Sequence, residues 1–549
     1  MPRNVLTLLT VLLLTISAAC GGGDEPTAGT DGETPGAETA AEPRSGGQAV
    51  IGVSSDIGGV NEVVTPNSLI NTEILRRLFI PLVDEQPDFK TISPRLAESW
   101  EFSEDRKSLT FHLRDDVVWS DGEPVTSADV VFSYRAWTDP DVAWEAAYAL
   151  EAVEAVEAMD EHTVRFDFSR AYSTQLLDTA AGAVILPEHA WGQKPFSEWR
   201  TAGDWFRENL VVSGPFDLES WTPQQEVVLK RNPLYYEEGL PYLDRLVLRV
   251  VPNQANQLTQ LLTGDLDLVI QLSPDDVERV ESTAGVRIIP YWTRGYIALG
   301  TNQRRAPFGA VDVRRAITYG IDRQTLVDSI WGEYGRVIAS PIPPNIWAYN
   351  QDVEPLPYDP DEARRLLDEA GWTDSDGDGV RDKDGEALAI DLVTNTGNRQ
   401  REDAMVLIQE QLGRIGVAVT PQAMEFNTMI QNVMGGDFDA VITGWQIPTT
   451  FDFRYAFASE EIDGGSNIIA YSNPEMDQLL DDIRSAPNLE EAKPLIDRLQ
   501  VMLQRDQPYT FLWQSQRLVG VRNRLQGVEP NHLFSLFDAR HWWVEDGAE

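Results

Sequence analysis

The sequence predicts an α/β protein of several domains. Two observations carry that prediction. Segments that alternate with period two, such as Leu246, Leu248 and Val250, exchange along the chain with segments of helical spacing, such as 253–262. Exchanges of this kind build α/β lobes with mixed sheets. The length, 549 residues, also exceeds what one hydrophobic core supports, so roughly two to four domains are expected.

Taken in order, the chain opens with Arg3 and an apolar run from Val5 to Ile16, then Ser17, Ala18, Ala19 and Cys20. The run is too short for a comfortable membrane span and has the shape of an export signal. Cys20 is the sole cysteine, so no intrachain disulfide forms. Its place directly after small residues resembles a bacterial lipoprotein signal, in which it is lipidated and becomes the mature N-terminus. Residues 21–47 are rich in Gly, Ala, Pro, Thr and Glu. They offer too little apolar surface to offset ordering entropy and read as a disordered tether.

The folded part starts near Ala49, where QAVIGVS reads as a strand. Helical spacing runs from Asn67 to Phe79. Leu109–Leu113 and Val117–Trp119 read as strands ending in the Ser120-Asp121-Gly122 turn. Thr126 with Asp129 three residues later forms a capping box for the next helix. Residues 152–159 and 163–168 read as two more strands, and further strand runs begin at Gly214 and Leu246. Tyr296–Thr301 is a strand, Val311–Trp331 is helical, and Asp322-Arg323 reads as a cap or a salt bridge. A helix at 359–370 stops at Gly371. Strands at 388–395 and 417–420 alternate with helices at 403–415 and 426–433. Helices at 476–483 and 492–506 precede a strand at Tyr509–Trp513.

The stretch Gly436–Asn473 is the centre of the functional reading. Asp437–Ile442 is a short strand, Gly444 and Trp445 end it, and Pro448, Thr449 and Thr450 open a loop carrying Asp452. A large ring at a strand end and a carboxylate on the following loop make one wall of a cleft, with apolar area and a charge.

Composition excludes several partners. The net charge is −44, from 88 acidic and 44 basic residues. Phosphate backbones and anionic headgroups are repelled by that balance, so no nucleic acid is expected. Five scattered histidines make no zinc or haem constellation.

One loop does read as a metal site. In DSDGDGVRDKDG, counting from Asp374, carboxylates fall at positions one, three, five, nine and eleven, with glycine at six. Asp374, Asp376, Asp378, Asp382 and Asp384 thus offer hard oxygen ligands at the spacing of a calcium loop, although position twelve is Gly385 rather than Glu. A structural Ca2+ is expected.

The segments LTFHLRDDVVWSDGEPVTSADVVFSY, GPFDLESWTPQQEVVLKRNPLYY, PYLDRLVLRV, PFGAVDVRRAITYGIDRQTLVDSI with SPIPP, and GWQ with NIIAYSNPEMDQLL occur in one order. Together they resemble an extracytoplasmic solute-binding protein of the peptide/nickel ABC transporter family, bacterial solute-binding protein family 5, oligopeptide/dipeptide-binding type. The resemblance implies a type II periplasmic-binding-protein fold: two α/β lobes around a ligand cleft, plus a smaller inserted domain. Mapped here, the first lobe spans 48–90 and 211–305, the inserted domain 91–210 and the second lobe 306–515, with the calcium loop at 374–385. Residues 516–549 return to the first lobe. The resemblance also implies a monomer that captures oligopeptides or dipeptides, delivers them to a membrane permease and does no chemistry. It carries Asp452 over as partner of a ligand ammonium and Trp445 as a cleft wall. It places Tyr296, Asn302, Asn467 and Tyr471 where family members line the cleft.

Two other functions are weighed against this one. The same fold binding an oligosaccharide, a nickel chelate or an opine-like compound is open. A secreted hydrolase is disfavoured, because neither G-x-S-x-G nor H-E-x-x-H occurs.

Overall fold

One strand, Tyr509–Arg522, ties the molecule together. The computed structural model describes residues 42–65 and 68–545. The predicted signal, Cys20, most of the tether and Asn67 therefore lie outside the described residues. The predicted tether end at 47 gives way earlier, since Gly46 N already donates to Tyr242 O (2.8 Å) and Gly47 N to the Asp244 carboxylate (3.1 Å).

The first half of Tyr509–Arg522 pairs antiparallel with Gly295–Thr301. Its second half pairs with Val286–Trp292 and with Leu268–Val269. A strand this long, rich in aromatic and β-branched residues, belongs to two half-sheets at once. On one side the order runs outward through Gly295–Thr301, Ala440–Gln446, Ala389–Asn395 and Ala418–Met424. On the other it runs through Leu268–Val269, Gln48–Val53, Arg245–Val250, Glu226–Arg231 and Phe216–Thr222.

This topology corrects one predicted boundary. Gly295–Thr301 pairs residue for residue with Ala440–Gln446, Tyr296 opposite Trp445. It belongs to the second lobe, so the chain crosses between lobes near Thr293 rather than at 305. The return crossing lies beside it, where Thr293 N donates to Ser515 O (3.3 Å).

The strands Ala97–Phe102, Ser108–Leu113, Val153–Asp160 and Thr163–Phe168 form a separate antiparallel sheet. Its core residues Leu109, Phe111 and Phe166 join the same apolar cluster as Ile51, Leu248 and Val519 of the first lobe. The capping box forms: Thr126 N donates to Asp129 Oδ2 at 2.9 Å. The predicted strand at Val117–Trp119 shrinks to an isolated bridge, Val118 with Pro124, because the chain turns at once on Gly122.

Helical spacing after Ala310 resolves into two helices, Val311–Gly320 and Arg323–Ile330. Asp322 separates them by capping the second, accepting from Thr325 N at 3.0 Å. Gly371 closes the Pro360–Glu369 helix at φ +85°, a conformation that costs glycine nothing. The last segment is fastened to the first lobe by Glu73, wholly buried on the Leu69–Leu78 helix. Its carboxylate accepts from Ser535 N and Leu536 N and pairs with Arg77 at 3.2 Å. Among the described residues no helix is long and apolar enough to cross a membrane.

Candidate functional site

The cleft wall is built from the paired strands Gly295–Thr301 and Ala440–Gln446 and from the loop that follows. Gly444 leaves room for the side-chain ends that lie over it: a Cβ there would meet Arg401 Nη2 at 2.5 Å and Ile297 Cδ1 at 2.8 Å, so both would have to shift. Trp445 is half-buried, its ring 5.3 Å from that of Tyr455. In the loop, Ile447, Phe451 and Phe453 are wholly buried. These anchors leave Asp452 half exposed between two core phenylalanines, its Oδ1 accepting from Arg454 N at 3.0 Å. Phe451 holds φ +53°, an uncommon conformation for a bulky residue and of the kind found at ligand sites.

Two cavities lie against this wall. The first, about 300 Å3, is lined by Trp331, Trp445, Trp513, Gln446, Arg401 and Arg517, with Tyr296 and Ser515. The second, about 310 Å3, shares Thr293, Gln446 and Arg517 and adds Arg294, Tyr291 and His532. The lining is aromatic and neutral-polar, with three arginines whose side chains bond to neutral groups. Arg294 Nε donates to Gln446 Oε1 (3.2 Å), Arg401 Nη1 to Asn395 Oδ1 (3.0 Å) and Arg517 Nη1 to Ser535 Oγ (3.2 Å). Among the described residues none of the three forms an ion pair. Arg401 Nε is buried and meets no acceptor among the described residues. Burial lowers the Arg294 and Arg401 pKa values, as expected for charges removed from water. His532, stacked on Phe89 at 4.5 Å, is held neutral by burial and by Arg294, its pKa pushed down to about 4.

An acidic corner lies near Arg294, which is electrostatically coupled to Glu85. Asp178 sits in a single π-helical turn, Leu177–Ala181, a distortion enriched at functional sites. Thr174 Oγ1 donates to Asp178 Oδ2 at 2.7 Å. Burial raises the Asp178 pKa to about 7, with Asp452 and Glu85 adding to the effect and Thr174 and Arg484 opposing it. Glu85 is also raised by burial, against a hydrogen bond from Thr449. The corner thus joins Glu85 and Asp178, on the first-lobe side, to Asp452 of the second lobe.

The remaining predicted residues do other work. Asn302 spends its amide on Gly436 O and Phe438 O, at 2.9 and 3.0 Å. Asn467 donates to Ala458 O and Tyr471 O and accepts from Tyr471 N. The Tyr471 hydroxyl donates to Asp506 at 2.7 Å. All three are buried, so as ligand contacts they are corrected to loop-knitting roles: their polar atoms are already satisfied. Tyr296 is 1 % exposed and packs on Phe511 at 5.7 Å; it forms the floor of the first cavity.

In the acidic loop, the carboxylates of Asp374, Asp376 and Asp378 converge within 4.8 Å of one another. Asp374 also accepts from Gly377 N (2.7 Å) and Gly379 N (3.1 Å). Asp382 and Asp384 do not join them. Asp382 accepts from Ser375 N and Oγ within a small hairpin, and Asp384 occupies the hairpin's turn.

Sequence reasoning missed Glu85, Asp178, Arg294, Arg401 and Arg517. One signal was present for Arg517: it lies in the polar run Gln514–Arg517 inside an otherwise apolar strand.

The description "Bacterial extracellular solute-binding proteins, family 5 Middle" matches residues 91–463. The chain belongs to this family. Family 5 proteins bind solutes outside the cytoplasm for transport and are not enzymes. The oligopeptide-binding protein AppA of Bacillus subtilis is 29% identical over 551 residues, covering 98% of each chain. The structure of that protein in complex with a nonapeptide matches with a TM-score of 0.77, covering 92% of this chain and 100% of the other. NikZ of Campylobacter jejuni, in complex with Ni(L-His), has a TM-score of 0.78 at 22% identity, covering 90% and 99%. At that identity the likeness concerns the fold. The two lobes and the cleft of this chain are those of a family 5 binding protein.

Proposed function

We propose that the chain is the substrate-binding lipoprotein of an ABC importer and that its cargo is a short peptide held at both ends. The observation that carries this reading is the separation of charge in the cleft. Asp452, Asp178 and Glu85 are electrostatically coupled in one corner, while Arg401 and Arg517 line an aromatic cavity and form no ion pair among the described residues. In a chain of net charge −44, arginines gathered in a cleft without an ion pair among the described residues suit an anion. A free peptide supplies one ammonium and one carboxylate, and charge-assisted hydrogen bonds to each are the strong ones. Trp331, Trp445 and Trp513 offer apolar area between. The peptide named with the B. subtilis relative agrees with this cargo.

The loaded protein delivers its cargo to the permease subunits. Cys20 carries the lipid anchor; each buried acyl CH2 contributes about 0.8 kcal/mol, so two or more chains hold firmly. Cys20→Ser is expected to release the protein from the membrane fraction. Asp374, Asp376 and Asp378 hold a structural Ca2+, with an affinity on the order of 0.1–1 mM. A calcium-dependent rise in melting temperature that Asp376→Asn abolishes is the expected sign; no calcium dependence at all removes the ion from the proposal.

Native mass spectrometry of the gently purified protein tests the cargo. A released set of short peptides supports the reading. A single non-peptide mass, such as an oligosaccharide, a nickel chelate or an opine-like compound, replaces the peptide and leaves the transport role.

A further inference from the structure

A third cavity, of about 290 Å3, lies on the seam between the lobes. Ile92, Phe102, Leu176 and Leu177 line it from the first-lobe side, and Trp347 and Leu489 from the second. Four charged residues also line it: Lys90 pairs with Glu490 across the seam at 2.9 Å, Arg106 lies over the Phe102 ring at 3.9 Å, and Glu85 is buried in the wall. Nearby, Trp347 Nε1 donates to Phe89 O at 2.9 Å. Because each lobe supplies part of the wall, closure completes the chamber.

Three contacts tie this chamber to the acidic corner. Phe451, the residue before Asp452, packs on Phe89 at 6.1 Å and on Trp347 at 5.5 Å, and both rings flank the chamber. Leu177 directly precedes Asp178. Glu85 lines the chamber and accepts a hydrogen bond from Thr449, three residues before Asp452. In a peptide the α-ammonium and the first side chain share one carbon. An ammonium at Asp452 therefore sets the first side chain beside an apolar chamber.

We infer that the seam chamber is a specificity pocket for a large apolar side chain on the first residue of the peptide, with Leu177 and Trp347 setting the preference. The inference rests on the peptide reading above. Filling the chamber removes apolar surface from water. It does so only in the closed form, so such a side chain also draws the lobes together.

Calorimetric titration of the whole protein, stripped of bound ligand, with Leu-Gly-Gly, Phe-Gly-Gly, Gly-Gly-Leu and Gly-Gly-Gly tests this. The first two are expected to bind about tenfold tighter than the last two. Leu177→Trp, which fills the chamber, is expected to abolish that preference and leave Gly-Gly-Gly unchanged. Leu489→Glu, on the opposite wall, is expected to do the same, and melting curves establish that both variants fold. Equal affinity of the wild type for all four peptides overturns the pocket and leaves the peptide reading standing. A variant that weakens all four alike also overturns it. If none of the four binds, while a non-peptide cargo does, both readings fall together.

Discussion

Asp178, on the first-lobe side, and Asp452 of the second lobe are electrostatically coupled: burial raises the Asp178 pKa, and the charge on Asp452 adds to that effect. The two residues bring a proton-binding group and a candidate ligand contact into one electrostatic unit. A cationic ligand placed there relieves the repulsion that closure would otherwise create.

That relationship makes stability depend on pH in a definite direction. The Asp178 pKa is about 7 in the folded protein, above the ordinary carboxylate value of 3.8. Between these values the folded chain keeps a proton that the unfolded chain releases. The contribution is therefore full below about pH 4 and is lost as pH rises through about 7, at a slope approaching about 1.4 kcal/mol per pH unit. Asp178→Asn is expected to flatten the fall in melting temperature between pH 5 and pH 8. An unchanged fall would place the titrating group elsewhere.

The two ends of the cleft are expected to read the two ends of the peptide. Asp452→Asn should weaken binding by roughly 1.5–3 kcal/mol, the size of a hydrogen bond to a charged group. N-acetylation of the peptide should cost the wild type a similar amount and the variant little more. Arg517→Gln and Arg401→Gln are each tested the same way with C-terminal amides. Additive losses in these cycles would mean that the residue and the peptide terminus do not meet.

Closure is held in part by a charged latch. Arg484 of the second lobe pairs with Glu151, which also takes Arg170 at 3.1 Å, and Ser173 N donates to Arg484 O at 3.2 Å. Exposed pairs of this kind are worth about 0–1 kcal/mol and weaken with salt. Arg484→Ala should speed ligand release a few-fold, with a smaller salt dependence than the wild type, measured by stopped-flow fluorescence. An unchanged release rate would leave closure to the ligand and the other seam contacts.

Glu73 stabilises rather than binds. It is wholly buried, and its carboxylate serves Arg77 and the backbone at 535–536. Glu73→Ala leaves Arg77 without its buried partner and should cost about 3–5 kcal/mol in urea unfolding. Ligand affinity of the folded fraction should be retained.

Local patterns were legible because they depend on neighbours in the chain. The Thr126–Asp129 capping box, the Asp322 cap and the stop at Gly371 each rest on a few adjacent residues. Trp445 was legible as a ring at the end of an alternating strand, and the structure puts it on the lining of the first cavity. Asn302, Asn467 and Tyr471 were misread for the opposite reason. A polar side chain near a cleft looks the same in sequence whether it meets a ligand or a backbone carbonyl, and only the folded loop shows which.

The amino-acid sequence alone determined the α/β class, the order of the elements, the family resemblance and the converging aspartates at 374–378. Each of these is a matter of period, spacing or motif. Tertiary structure decided which charges meet. Glu85, Asp178 and Asp452 come from distant segments, as do Arg294, Arg401 and Arg517. No local period records their approach, because it is set by how two half-sheets share the strand Tyr509–Arg522 and fold their loops toward one cleft. Burial and Coulomb interactions act through space, and so the character of the site was written only when the lobes came together.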